Sequence, residues 1–111
     1  MKRSSIMPKM ELAGSMYKVD DKGFLQETDR WNEGVAKAYA ALEGVTELTE
    51  DHWAVIRYLR GYYQENGVCP MVRRLTRETG LGLKRIFELF PKGPANSACK
   101  WAGLPKPTGC V

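Results

Sequence analysis

The stretch "LTEDHWAVIRYLRGYYQENG" at residues 48–67 constrains the fold more than any other part of the chain. Thr49 can cap a helix, Glu50 and Asp51 suit the positive end of its dipole, and Gly67 stops it. Between these signals His52, Val55, Ile56, Leu59, Tyr62 and Tyr63 recur at helical spacing and form a single apolar stripe. That pattern predicts a helix at the centre of the core.

The flanking segments are read around it. "TDRWNEGVAKAYAALEG" is rich in alanine, opens on Thr28 or Asp29 as the N-cap and ends at Gly44, which predicts a helix. Pro70 suits the first turn of a helix running through Glu78, Gly80 breaks it, and "LKRIFELF" resumes a helix until Pro91. A last short helix is expected over residues 95–102, ended by Gly103. Upstream, two apolar runs in "MYKVDDKGFL" flank Asp20-Asp21-Lys22-Gly23, which predicts a small β-hairpin turning there. Residues 1–14 lack periodicity and read as a flexible leader. The expectation is a mainly α fold: an orthogonal helical bundle with a helix-turn-helix-like part and a small N-terminal β-hairpin. Residues 15–102 form its body and 103–111 a mobile C-terminal arm.

At 111 residues the chain has room for one modest core. No signal peptide follows the basic start "MKRSSIMPKM" and no run is long enough for membrane insertion, so a cytoplasmic protein is expected. Three cysteines, at 69, 99 and 110, are an odd set without a secretory signal, so a permanent disulfide framework is not expected. Charge is uneven: residues 11–52 hold ten acidic and four basic residues, whereas 70–100 hold seven basic and two acidic. The basic end should attract anions or an acidic partner.

The terminal "CKWAGLPKPTGCV" puts Cys110 one residue from the chain end, on a segment whose prolines forbid helix. Extended, this arm reaches about 35 Å beyond Cys99, and folded back it could bring the two thiols within the Cα separation of about 7 Å that a disulfide needs. An arm thiol can thus enter a partner's active site, pick up sulfur and return to be attacked by Cys99. The opposing reading makes Cys110 an inert tail residue and Cys99 a small core hydrophobe. Lys106 would lower the Cys110 pKa and the terminal carboxylate would raise it.

Other candidates are weaker. Cys69 precedes Pro70 at an expected helix start, a place that favours thiolate, but nothing nearby supplies a second thiol or base, so it reads as a packing residue. The cysteine spacings of 30 and 11, with His52 as the sole histidine, argue against zinc. His52 reads as a partly buried helix residue. Trp101, two residues after Cys99, either packs the core or shapes a pocket around the sulfur. Arg73, Arg74, Arg77, Lys84 and Arg85 lie across two short helices and allow an alternative reading as a helix-turn-helix DNA-binding regulator, or as an oxyanion cradle.

"LFPKGPANSACKWAGLPKPTGCV", together with "DDKGFL", the residue 48–67 block and "CPMVRRL", resembles the DsrC/TusE sulfur-carrier family over about residues 15–111. By that resemblance Cys110 is the penultimate sulfur-carrying cysteine. Cys99 is the second cysteine of the DsrC branch, the gamma-subunit-like protein of dissimilatory sulfite reductase. The resemblance implies a protein co-substrate more than an enzyme. Its arm would insert towards a sirohaem site, receive sulfur, and close a disulfide or trisulfide with Cys99. Implied partners are the alpha and beta subunits of the sulfite reductase, a membrane-bound thiol/disulfide-reducing complex, and sulfurtransferases delivering a persulfide. Sirohaem and iron–sulfur clusters would belong to the partner, with no cofactor or metal on this chain. Apart from the resemblance, Arg73 and Arg74 are candidates for holding an anionic adduct or the arm's carboxylate. A transfer-RNA-thiolation relay, which needs only the penultimate cysteine, is the remaining alternative.

Overall fold

The helix over the central block forms as its sequence dictates, with Thr49 in extended conformation as N-cap of α2 (Glu50–Asn66). Gly67 ends it at φ +74°, its N–H bonded to the Tyr63 carbonyl at 2.7 Å. The structure, a computed structural model, describes residues 9–105. Along α2 the residues His52, Val55, Ile56 and Leu59 are buried, while Tyr62 and Tyr63 are half-buried at the edge of the stripe.

The remaining helices are α1 (Glu33–Leu42), α3 (Val72–Thr79) and α4 (Leu83–Leu89), followed by a π-helical segment over Pro94–Cys99. α2 packs against α3 and against the π-helical segment, which brings the C-terminal part of the chain onto the central helix. A two-stranded antiparallel sheet, β1 (Lys9–Leu12) and β2 (Ser15–Lys18), lies against α1 through β1. The fold is mainly helical with one small hairpin, as the sequence predicts.

Three expectations are corrected. The hairpin turns at Ala13-Gly14, with Leu12 paired to Ser15 and Met10 to Tyr17, so part of the expected leader is a strand and Leu12 is a core residue. Both turn residues have positive φ (+52° and +84°), the geometry of a two-residue hairpin turn, but Ala13 carries no turn signal. The turn at Asp20–Gly23 also exists, held by the Asp20 carboxylate accepting from Lys22 N and Phe24 N at 2.9 Å each. It closes only a single bridge, Val19 to Leu25. Second, Thr28–Arg30 is a separate 3₁₀ turn, and α1 begins after Asn32, whose side chain accepts from Val35 N at 3.1 Å. Trp31 between them is extended because its indole is held elsewhere, as described below. Third, Gly103 and Leu104 are buried parts of the body, not the start of an arm.

His52 takes the place of the usual Glu or Gln in the capping box of α2. Its Nδ1 accepts from Thr49 N at 2.9 Å, which leaves Nε2–H to donate to the Leu89 carbonyl at 2.9 Å and ties α2 to the end of α4. This arrangement requires a neutral ring, and burial pushes the His52 pKa below its ordinary value. A folded-state pKa below that of the unfolded chain means that the unfolded chain takes up the proton first. The contribution of His52 is therefore complete above about pH 6.5 and is lost as pH falls through the folded-state pKa. Melting temperature should fall between pH 7 and pH 5, and His52→Gln should flatten that part of the profile. An unchanged slope would assign the pH dependence to other groups.

Candidate functional site

Two thiols, Cys99 and Cys69, lie at the main core cluster. "PKGPANSAC" turns sharply at Gly93, φ +84°, where an added Cβ would lie 2.7 Å from the Phe87 ring. Pro94 then starts the π-helical segment that carries Cys99 on its last position, 1% exposed, within the main core cluster. Cys69 follows α2, half-buried against the same cluster. The Cys99 thiol pulls Cys69 below the ordinary thiol value, whereas Cys69 and burial push Cys99 well above it. Of the two, Cys69 is the thiol that ionises first.

Cys99, 30 positions away in sequence, belongs to the core cluster against which Cys69 packs. The expected helix-start effect is not the cause of the lowered value: α3 begins at Val72 with Met71 as N-cap, and the Cys99 thiol is what lowers the Cys69 pKa.

Beyond Cys99 the chain is fastened to the body. Leu104 N–H bonds to the Cys99 carbonyl at 3.1 Å and Gly103 N–H to that of Lys100 at 2.9 Å. Carbonyls at a helix C-terminus need partners, and two side chains provide them. Trp31 Nε1 donates to the Trp101 carbonyl at 2.8 Å, and Arg60 Nη1 to the Ala102 carbonyl at 2.8 Å. Arg60 also donates through Nη2 to the Thr28 carbonyl at 3.2 Å and lies over the Trp31 ring at 4.3 Å. Gly103 is left-handed at φ +74°, and a Cβ there would fall 2.4 Å from Trp31 Cδ1, so glycine is required. A groove of about 270 Å³, lined by Thr28, Asp29, Arg60, Tyr63, Gln64 and Leu104, opens beside this clamp. Sequence reasoning missed Trp31 and Arg60 as partners of the C-terminal stretch. The available signal was a cation on the central helix adjoining its apolar stripe.

Trp101 is fully buried. Its ring stacks with His52 at 6.0 Å and packs on Phe90 at 4.9 Å, while Nε1 donates to Glu43 Oε2 at 3.1 Å. Glu43 Oε1 accepts from Ser97 Oγ at 2.5 Å, and Ser97 Oγ accepts from Lys92 N at 2.8 Å. Trp101 is a core residue, the first of the two uses its position allowed.

Arg73 and Arg74 are exposed on α3, with Arg74 over the Tyr62 ring at 5.8 Å. α3 and α4 do form a helix-turn-helix-like pair around Gly80, but part of its charge is engaged: Arg85 pairs with Asp51 (3.1 Å) and Glu88 (3.4 Å), and Arg77 with Glu78 (3.7 Å). That reduces what this face offers a phosphate backbone. Among the described residues no cluster of three or more His, Cys, Asp or Glu could hold a metal ion, and no helix is long and apolar enough to cross a membrane. Lys106 and Cys110 lie outside the described residues.

Residues 11–111 match the family described as "DsrC like protein". The chain is 45% identical to "Sulfite reductase, dissimilatory-type subunit gamma" of Nitratidesulfovibrio vulgaris over 95% of its own length and all of that protein. It is 40% identical to "Sulfurtransferase TusE" of Yersinia pseudotuberculosis over 92% of its length and all of the relative. Among solved structures, the oxidized gamma-subunit of the dissimilatory sulfite reductase (DsrC) from Archaeoglobus fulgidus superposes with a TM-score of 0.82 at 45% identity, covering 94% of this chain and all of that one. With the match running from β1 to the last residue, and the fold shared at this identity, the chain belongs to the DsrC-like family.

Proposed function

We propose that the chain is a sulfur carrier and co-substrate of dissimilatory sulfur metabolism, loaded on Cys110 and closed by Cys99. The observation that carries this reading is the bond from Leu104 N–H to the Cys99 carbonyl. It starts the terminal stretch beside Cys99, so the six positions from Leu104 to Cys110 either return to Cys99 or reach outward by about 20 Å. That is shorter than the 35 Å expected for an arm free from Cys99 onward, because the clamp removes residues 100–104 from it. Family membership supports the chemistry, and the presence of both cysteines supports the DsrC branch over a relay that uses the penultimate one alone.

In the proposed cycle the Cys110 thiolate attacks the outer sulfur of a donor persulfide. The donor S–S bond breaks, its electron pair leaves on the donor thiolate, and Cys110 becomes a persulfide. Cys99 then gives up its proton as it attacks Cys110 Sγ, forming a Cys99–Cys110 disulfide and expelling hydrosulfide, which takes up that proton. Sulfur arriving at the S(II) level would instead condense with both thiols to a trisulfide, with loss of water. The partner in that case is a dissimilatory sulfite reductase bearing the sirohaem and iron–sulfur centres. Sulfurtransferases and a membrane-bound thiol/disulfide-reducing complex are the other proposed partners, in the cytoplasm. Arg73, Arg74 and Lys106 are the cations available to hold an anionic adduct.

Trypsin separates the three cysteines into peptides 61–73, 93–100 and 101–111. After anaerobic incubation with a persulfide donor, wild type should show added sulfur on 101–111 that gives way to a 93–100/101–111 link. Cys99→Ala should retain the added sulfur and Cys110→Ala should show none. Unmodified Cys110 in both wild type and Cys99→Ala would overturn the carrier reading.

A further inference from the structure

Three lysines far apart in sequence meet at one concavity. A pocket of about 180 Å³ is lined by Lys22, Lys92 and Lys100 together with Gly23, Tyr39 and Glu43. We propose that this pocket is a binding site for a small, doubly charged oxyanion of the sulfate, sulfite or phosphate kind, held by the three ammonium groups. The inference stands apart from the carrier reading, because it uses neither Cys99 nor Cys110.

The walls of the pocket are fixed by the fold. The turn that carries Lys22 is closed by the Asp20 carboxylate, which accepts from Lys22 N–H at 2.9 Å, and by Gly23 N–H on the Asp20 carbonyl at 3.0 Å. Tyr39 Oη, on α1, donates to the Gly23 carbonyl at 2.6 Å and joins that turn to the helix. Lys92 and Lys100 bracket the π-helical segment. The Lys92 N–H is bonded to Ser97 Oγ at 2.8 Å, and the half-buried Lys100 holds its Nζ 4.9 Å from the centre of the Phe24 ring. A Cβ on Gly23 would lie 3.7 Å from that Nζ, so the turn and the Lys100 ammonium face each other at contact distance.

The positive charge is not cancelled from within. Glu43 supplies the carboxylate that lines the pocket, and both its oxygens are taken by other donors, Oε1 by Ser97 Oγ and Oε2 by Trp101 Nε1. Among the described residues, no carboxylate forms an ion pair with Lys22, Lys92 or Lys100 within 4.0 Å. Burial is the main influence holding the Lys100 pKa below its ordinary value; Glu43 and Asp20 act to raise it and the Lys92 charge lowers it further. Two ammonium groups that repel each other at the rim of a concavity are relieved by an anion placed between them.

The test is an NMR titration of the reduced, isotope-labelled full chain with sodium sulfate, sulfite and phosphate, under anaerobic conditions at about pH 8, where lysines stay protonated. Sodium chloride holds the ionic strength constant. The amide signals of Lys22, Gly23 and Lys100 should shift and saturate with the dianions and stay in place with chloride alone. Lys92→Gln and Lys100→Gln should each weaken binding by about fivefold or more, the worth of a pair of unit charges some 4 Å apart in water. Lys37→Gln, which removes an exposed cation on α1 outside the pocket, should bind as wild type does. Equal affinity for the three anions assigns the pocket to dianions in general, and a preference for sulfite and sulfate, or for phosphate, assigns it to that oxyanion. Shifts that fail to saturate or that chloride reproduces, or unchanged affinity in both Lys92→Gln and Lys100→Gln, overturn the site and leave the carrier reading untouched.

Discussion

Trp101→Ala should lose about 3–5 kcal/mol of folding stability, the range for deleting a large aromatic from a packed interior. For a domain of this size that lowers Tm by more than about 10 °C. The ring has no solvent exposure and lies against His52 and Phe90, so the cavity would open between α2 and the end of α4. Trp101→Phe separates packing from hydrogen bonding. It keeps most of the apolar volume but removes the donor to Glu43, leaving that carboxylate with Ser97, at a cost of about 1 kcal/mol. Denaturant titrations of the three proteins make the comparison. If Trp101→Ala lost little stability but abolished sulfur loading, the residue would belong to the sulfur site and not to the core.

Gly103→Ala is the second large effect, although it adds only one methyl group. Left-handed backbone disfavours alanine by about 1 kcal/mol or slightly more, and the methyl would overlap Trp31, 2.4 Å from Cδ1. Overpacking of that kind costs about 1–3 kcal/mol, so a total loss of roughly 2–4 kcal/mol is expected. Moving the indole also breaks its bond to the Trp101 carbonyl and its stack on Arg60, which unfastens the C-terminal stretch. A double-mutant cycle isolates the overlap: in a Trp31→Ala background the same glycine substitution should cost only the backbone component, about 1 kcal/mol. Equal costs in both backgrounds would show that the ring is not what demands glycine.

Helical periodicity and end signals were sufficient where they acted locally. α2 begins and ends at Thr49 and Gly67 because capping chemistry and a left-handed glycine are encoded within its own sequence. The stop at Gly80 and the restart at Leu83 follow for the same reason. The hairpin was displaced because Asp20–Gly23 carries the stronger turn residues, while Ala13 adopts positive φ only in the context of the paired strands. The placement of residues 103 and 104 was the larger miss. Two prolines and two glycines read as an arm, but the carbonyls after Cys99 are claimed by Trp31 and Arg60, some 70 and 42 positions away. At the site, Cys99 was legible from its place in a C-terminal motif, whereas its sharing a core cluster with Cys69 depends on α2 and the π-helical segment packing side by side. No spacing rule on one strand of text contains that adjacency.

The closure of Leu104 on the Cys99 carbonyl also sets a loop entropy. A bond between Cys99 and Cys110 spans eleven positions of sequence, but with Leu104 already held beside Cys99 only six remain to be ordered. Because the cost of closing a loop grows with the logarithm of its length, the shorter segment favours the bridge by about 0.5 kcal/mol, a factor of roughly 2.5. On the redox scale that is about 10 mV for a two-electron couple. Gly103, Trp31 and Arg60 would thus tune how readily the carrier is oxidised, without taking part in any step at sulfur.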